Sequence, residues 1–506
     1  MNLHELSNET IGKISGLIKD SWRNPVDKTL LPAIFKDIDT TAGLQIYNLE
    51  APAKLLLPAF TPFLNRIPRT TSQGGTSTRW RQITGYSAPA AGIFANEGVA
   101  GSKGTMTTSE VLAAYRTWVL GDEVTLQAIA AAKNFDDAKA KTITSVLLRL
   151  KVEEEIGALY ANPGASGSEL GYALAAPVFT AAPTVVDSGG AIAASTTLRV
   201  WVMGLTGYGY KHTSTATPPT SFTTFHGAAT INSANLTTTG GASVIKCRVD
   251  PIPGAVAYAW WLSTTGTTFA ASTTLLQVIT TTPDVIIADD NGTVAGTGLS
   301  SADLSAQTSP ASHSSIMGFL VKNGAGTYSK LMANDATSFN GTPLTTNNRG
   351  GVAEIDVANR TVFDSAHTTP NLLICSATDH DRVSVAAAGS SATNITRVNI
   401  TNDQTSGAKM GARVDFLVNT VPGGDQMILT TPNAVPGTIF GISETLPYVE
   451  SNIGATYEFE MLLNYLQVDY AVTRAGGPNP DFDVFNYGTF KLYAPFTDWW
   501  IQGIGD

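Results

Sequence analysis

Charge is the first thing this sequence has little of. Only 14% of its 506 residues are Asp, Glu, Lys or Arg, against roughly a quarter in an average soluble domain. A surface so thinly charged predicts a protein that keeps much of it against other protein. The balance is also acidic, at net −10, which argues against a broad grip on nucleic-acid backbones. Cysteine is nearly missing. Cys247 and Cys375 stand far apart, so a disulfide framework is excluded and two buried free thiols are expected. Histidine is scarce as well: His4, His212, His226, His313, His367 and His380 never fall at i, i+4 or beside a CxxC, and no metal site is expected from them. No run of 18 apolar residues occurs, which removes a membrane-spanning helix. The start, MNLHELSNETIGKISGLIKDSW, has acids and polar residues where a signal peptide has an apolar centre. The expectation is synthesis in a cytoplasm, with neither classical secretion nor membrane insertion.

What is present begins with length. A chain of 506 residues predicts two to four domains, each able to bury most of its apolar surface. Ile11, Ile14 and Ile18 behind Ser7 or Asn8 predict one short helix. From 23 to 72, Pro25, Pro32, Pro52, Pro58, Pro62 and Pro68 break any longer one, leaving an arm that lies on something else. GTSTRWRQIT, 75–84, reads as a strand, and 106–124 as a second extended stretch with Tyr115, Thr117 and Val119 on one face and Arg116, Trp118 and Leu120 on the other. Two such strands cannot bury both faces alone, so a neighbouring subunit is the economical cover.

Between these strands lies IFANEGVAGSKGTMTTSE, 93–110. It approaches a phosphate-binding loop and fails it. A Walker pattern needs Gly five positions before the Gly-Lys pair and Ser or Thr after the Lys; around Lys103 the residues at the three diagnostic places are Glu97, Ser102 and Gly104. Glu97 would set a carboxylate where a triphosphate must sit.

The strongest helix follows. Asn134 is the expected cap, Asp136 and Asp137 fill the first turn, and Ile143, Val146, Leu147, Leu150, Ile156 and Leu159 form the stripe up to Tyr160, with Asn162, Pro163 and Gly164 as the stop. Glu153, Glu154 and Glu155 read as a solvated face. From about 175 to 308, Thr, Ser, Ala and Gly dominate, and short alternating runs predict a β-sandwich: Leu198, Val200 and Val202 share one strand face, as do Val256, Tyr258, Trp260 and Leu262. Of Trp260 and Trp261, one is expected in the core and the other at the surface. After it, 314–321 resumes apolar structure, GGVAEIDVANRTVFDS predicts a helix facing inward through Ile355, Ala358 and Val362, and TPNLLICSA a buried strand. ATYEFEMLLNYLQVDYAVTRAG, a GGPNP turn and DVFNYGTFKLYAPF end the chain in β structure. The host flanks the sandwich on both sides, so the class expected is α+β with an all-β insertion.

Chemistry is sparse. Asp379, His380 and Asp381 have no GxSxG partner and read as a solvated turn or helix cap. Asp289, Asp290, Asn291 and Gly292 read as a β-turn, since the spacing is not that of an EF-hand. No catalytic constellation, metal site or cofactor is expected, and the chain is not expected to be an enzyme.

Two resemblances add to this reading. VDPIPGAVAYAWWLSTTG resembles the strand B to C region of fibronectin type III and related immunoglobulin-like modules. The whole order of parts resembles the major capsid proteins of tailed bacteriophages, the Johnson fold shared with encapsulins and herpesvirus shells. The residues that carry it are Glu97 and Gly98 in the long loop, KVEEEIGALYANPGA at the helix end, TLPYVESN, and the closing NYGTFKLYAPF. The resemblance implies an N-terminal arm at 1–72, an extended hairpin loop at 73–124, a spine helix and peripheral domain at 125–174, an immunoglobulin-like insertion at 175–308, an axial domain at 309–445 and a return to the peripheral domain at 446–506. It implies an icosahedral shell, built from hexamers and pentamers of this chain in a host cytoplasm, that encloses double-stranded DNA in a virion. Scaffolding, portal and decoration proteins are its implied partners, with no membrane. The loop would lie across a neighbour through Asn96, Glu97 and Lys103, and Gly476, Gly477, Pro478 and Asn479 would stand near symmetry axes. Some relatives join a loop lysine to an asparagine of a neighbour, and Lys103 sits in a comparable place. An encapsulin-type compartment and an extracellular adhesin or tail protein remain the alternatives.

Overall fold

The computed structural model describes residues 59–506 apart from 88–93, 95, 102, 133–136, 162–173, 214–225, 232–233, 264–273, 291–292, 295–313, 325–326, 389–401, 404–406, 409–413, 422–423, 449–450 and 471–479. The short helix expected near 11–18 and most of the arm therefore lie outside the described residues.

The long helix, Ala138–Tyr160, runs 23 residues, about 35 Å at 1.5 Å per residue. Its cap is Asp137, whose side chain accepts from the Ala140 amide at 3.0 Å. The expectation of Asn134 as cap, with two acids inside the first turn, is corrected: the helix starts later, and Asp137 works as the capping oxygen. Val146, Leu150, Ile156 and Leu159 are buried as expected, while Ile143 and Leu147 are half-buried. The helix packs on a four-stranded sheet ordered Arg69–Thr71, Tyr457–Tyr470, Asp481–Leu492, Arg116–Glu123. Val146 and Leu150 meet Phe482 and Val484 there. Gly157 lets the Trp118 ring reach the helix backbone, because a Cβ at this position would overlap that ring.

A second sheet has six strands, ordered Tyr328–Leu331, Trp499–Gln502, Thr438–Ile442, Leu372–Cys375, Asp425–Thr430, Phe416–Val418. Its central strand Leu372–Cys375 is apolar at every position because both faces are covered. Leu372 and Ile374 join a core with Phe319, Phe440 and Trp500, while Leu373 and Cys375 join another with Ile355, Val362 and Trp499. The helix expected over GGVAEIDVANRTVFDS is Ala353–Ala366, with Ile355, Ala358 and Val362 buried.

The Thr- and Ser-rich middle of the chain folds as two facing sheets. Thr197–Leu205, Ala257–Ser263 and Thr274–Thr280 pair antiparallel in one; Thr184–Val186, Val244–Arg248 and Asp284–Ile287 form the other. Leu198, Val200, Val202, Tyr258, Trp260 and Leu262 fill the space between them with Ile245, Val285 and Ile287. Trp261 is buried too, on the opposite face with Trp201, Met203 and Leu205, which corrects the expectation of a surface tryptophan. Alternation placed the two indoles on opposite faces, but the second face is also covered. Both cysteines are buried free thiols.

The last unit is a two-stranded ribbon, Ser77–Ser87 against Thr105–Ala114. The extended stretch expected over 106–124 is two strands. At Tyr115, whose amide donates to Thr76 O at 3.1 Å, the chain leaves the ribbon, and Arg116–Glu123 joins the four-stranded sheet.

Candidate functional site: the exposed ribbon and its anchorage

Hydrogen bonds anchor the base of the ribbon. Trp80 Nε1 and Gln82 Nε2 donate to Leu492 O at 3.2 and 3.0 Å, and the Ile83 amide donates to Tyr493 O at 2.8 Å. Thr78 Oγ1 and Tyr115 OH donate to the Glu460 carboxylate at 3.1 and 2.6 Å. Lys491 pairs with the same carboxylate, stands 3.6 Å from Glu458 and lies 5.6 Å over the Trp80 ring. Burial lowers the Lys491 pKa, and Glu458 works against that shift. Side chains of Ser77–Ser87 thus face partners, as a strand's alternation allows.

Beyond these anchors the ribbon is largely exposed, with the Tyr86 ring 6.1 Å from that of His367. Tyr86 and Met106 are exposed, and Phe94 is 96% exposed. Asn96 and Glu97 sit on an exposed turn closed by the Val99 amide on Asn96 O at 3.0 Å, with Gly98 at φ +81° where a side chain would be strained. Lys103 is exposed on the returning side. The structure thus puts Asn96, Glu97 and Lys103 on one solvent-facing tip. Gly476, Gly477, Pro478 and Asn479 lie outside the described residues; the strands leading to them are antiparallel, with Tyr470 opposite Asp481.

The glutamate run is the largest correction. Glu154 and Glu155 are fully buried; only Glu153 is partly exposed, 2.9 Å from His212 Nε2. Glu154 takes Arg69 Nη2 at 2.9 Å and the Tyr465 hydroxyl, and Arg69 also lies 5.4 Å over Phe459. Glu155 accepts from the Leu64 amide at 3.0 Å, Thr431 Oγ1 at 2.5 Å and Asn433 Nδ2 at 2.9 Å. Burial raises the Glu155 carboxyl above its ordinary value, while those three donors pull it back. Adjacent acids on one helix therefore tie 64–69 to both large sheets. The signal was in the spacing: Glu154 follows Leu150 by four and Glu155 precedes Leu159 by four, on the buried stripe.

Asp379 is also buried and not solvated. It accepts from Ser376 Oγ at 2.8 Å, Arg382 Nη1 at 2.9 Å and the Gly437 amide at 2.9 Å, while Ser376 Oγ caps the helix Ala377–Ala388 by accepting from the Asp379 amide at 3.1 Å. His380 turns elsewhere, to Val414 O and Thr430 Oγ1, so the pair forms no relay. Asn291 and Gly292 lie outside the described residues. No cluster of three metal-ligating side chains occurs among the described residues, nor does any described helix suit a membrane span. A groove of about 690 Å3 between the ribbon and the body is lined by Thr84, Thr107, Asn323, Thr361 and Ser365 among others, with no carboxylate, histidine, lysine or cysteine.

No family model matches the sequence, and no curated protein matches it. Among solved structures, the chain is similar to the holo-SrpI encapsulin complex from Synechococcus elongatus PCC 7942, at TM-score 0.38 and 6% identity over 92% of this chain and 95% of that one. It is similar to a chain of Microbacterium phage Oxtober96 at TM-score 0.39 and 7% identity, over 93% and 99%. The capsid of an empty GTA particle gives TM-score 0.38 and 7% identity over 94% and 98%. All three scores lie below 0.5.

Proposed function

We propose that this chain is the structural subunit of a closed shell of the tailed-phage capsid type, assembling with copies of itself through capsomers around double-stranded DNA. The observation that carries the reading is the ribbon: anchored by buried hydrogen bonds at its base, largely exposed beyond, and tipped by Phe94. A two-stranded ribbon is marginal in water without a partner surface, and exposed apolar tips mark contacts with other protein. The low charge of the whole chain supports the same reading. In it, Asn96, Glu97 and Lys103 contact a neighbouring copy, Gly476, Gly477, Pro478 and Asn479 stand near symmetry axes, and scaffolding, portal and decoration proteins complete the particle in a host cytoplasm.

The sandwich at 175–308 is assigned here as an insertion on the shell exterior. The space between its two sheets has a core of its own, and it joins the body through Val256, which packs with the core of the large sheets, and through hydrogen bonds. Gln502 Nε2 donates to Ile252 O at 2.7 Å and its Oε1 accepts from the Gly254 amide at 3.0 Å. Gly254, at φ +84°, supplies the left-handed turn this contact uses.

The test is expression of the full chain, alone and with candidate scaffolding partners, followed by size-exclusion chromatography and negative-stain electron microscopy. Rings, capsomers or shells are expected. Dispersed monomers under every condition would overturn the reading.

A further inference from the structure

The ribbon changes character within three residues. Up to Ile83, whose amide donates to Tyr493 O at 2.8 Å, it is bound to the body. There the register slips: Ile83 faces Thr108 and Gly85 faces Thr107, so Thr84 is an extra residue and the strand carries a β-bulge. A bulge bends its strand and disrupts the ladder locally, and Gly85 stands where a side chain would meet only open space. Past the bulge two spaces part the ribbon from the body. One is the groove of about 690 Å3; the other is an apolar cavity of about 260 Å3 between Ile83, Tyr86 and Met106 of the ribbon and His367, Tyr448 and Phe496 of the body. Tyr86 lines both.

Across that cavity stands His367. It ends the helix Ala353–Ala366 in the left-handed conformation, at φ +55°, and its amide donates to Phe363 O at 2.8 Å. Glycine takes this place with the least strain, so a histidine here costs some stability. What the histidine adds is a ring. That ring meets the ring of Tyr86 edge-on, with 6.1 Å between centroids and 66° between planes, inside the range in which aromatic pairs attract. The helix end that carries it is also held, since the Tyr448 hydroxyl donates to Ala366 O. A fixed ring on the body therefore meets a ring on the ribbon just past its bend. We infer that the bulge at Ile83–Gly85 is a hinge of the ribbon and that His367 and Tyr86 form the catch that sets its angle to the body. Both are positioning residues. The anchors at Trp80 and Gln82 decide where the ribbon leaves the body, and the catch decides in which direction. One edge contact between exposed rings is weak beside several buried hydrogen bonds, so the ribbon turns at the hinge without unfolding its base.

Distances between two spin labels on the isolated subunit test the catch, whether or not the chain forms shells. Thr105→Cys, exposed in the paired ladder past the bulge, and Val385→Cys, exposed on the helix Ala377–Ala388, are the attachment points, and the native thiols are buried. With His367 and Tyr86 in place, one narrow distance distribution is expected. His367→Asn keeps a residue that tolerates the left-handed conformation and removes the ring; Tyr86→Ala removes the other ring. Each is expected to widen the distribution and add distances absent from the parent, with the melting temperature within a few degrees of the parent's. Tyr86→Phe, which keeps the ring, is expected to leave the distribution narrow. A distribution unchanged by either ring removal overturns the catch, and so does one already broad in the parent. Widening in Tyr86→Phe as large as in Tyr86→Ala overturns the ring contact as its cause. If His367→Asn melts well below the parent, Tyr86→Ala, which alters an exposed ring, decides alone.

Discussion

Glu155 shows what a single residue does in this chain. Its carboxylate has no cation among its hydrogen-bond partners and is held by the Leu64 amide, Thr431 and Asn433. Glu155→Ala leaves three buried donors facing a cavity, and the expected loss is about 3 kcal/mol of unfolding free energy. A urea midpoint within error of the parent's would remove the joint from the account. The pH response has a definite sign. Burial puts the folded pKa above the ordinary value of 4.5, so the folded chain holds this proton more tightly than the unfolded one. The contribution to stability is full below about 4.5 and is lost as pH rises through the raised folded value. Urea midpoints measured across that window should fall with rising pH in the parent and flatten in Glu155→Gln. Lysines and glutamates on helices are mostly solvated, and a run of three acids reads that way by composition. Only the partners, 91 and more than 270 positions away in sequence, make the buried reading necessary.

At the scale of elements, the long helix is fixed to its sheet by a close approach and not by a large apolar stripe alone. Gly157 is where the Trp118 ring comes against the helix. In a free helix Gly157→Ala gains about 1 kcal/mol; here the new methyl overlaps a ring held between strand and helix, and overpacking costs about 1–3 kcal/mol. Thermal melts should therefore show Gly157→Ala less stable than the parent, and a rise in melting temperature would exclude the contact. Elements whose partners are local or whose period is regular were legible in the sequence. The helix Ala353–Ala366 follows from Ile355, Ala358 and Val362, the strand Leu372–Cys375 from an unbroken apolar run, and the closing pair from its turn. The break at Tyr115 was not legible, because alternation continues through it without glycine or proline. It is set by Thr76 and Glu460, which only the fold brings to Tyr115. The helix cap at Asp137 was not legible either, because Asn134, Asp136 and Asp137 all offer a capping oxygen by sequence.

For the whole molecule, the candidate site was legible as a place but not as a mechanism. The glycines and alanines of 93–110 mark a loop by composition, and its failure as a phosphate loop follows from Glu97, Ser102 and Gly104. What composition lacks is the contrast between base and tip: Trp80 and Gln82 hydrogen-bonded into the body, Phe94 and Met106 bare. That contrast separates folding from assembly. The base contributes to the stability of one chain, since its polar contacts are buried and intramolecular. The described tip residues Phe94, Asn96, Glu97 and Lys103 are exposed and add little to it. Deleting residues 95–104 should therefore leave the melting temperature of the isolated subunit within a few degrees of the parent's and block closed shells, giving single subunits or capsomers by electron microscopy. Normal shells from the deletion would take the tip out of the assembly mechanism. Loss of the folded subunit would instead make the tip part of the fold, against the separation of base from tip.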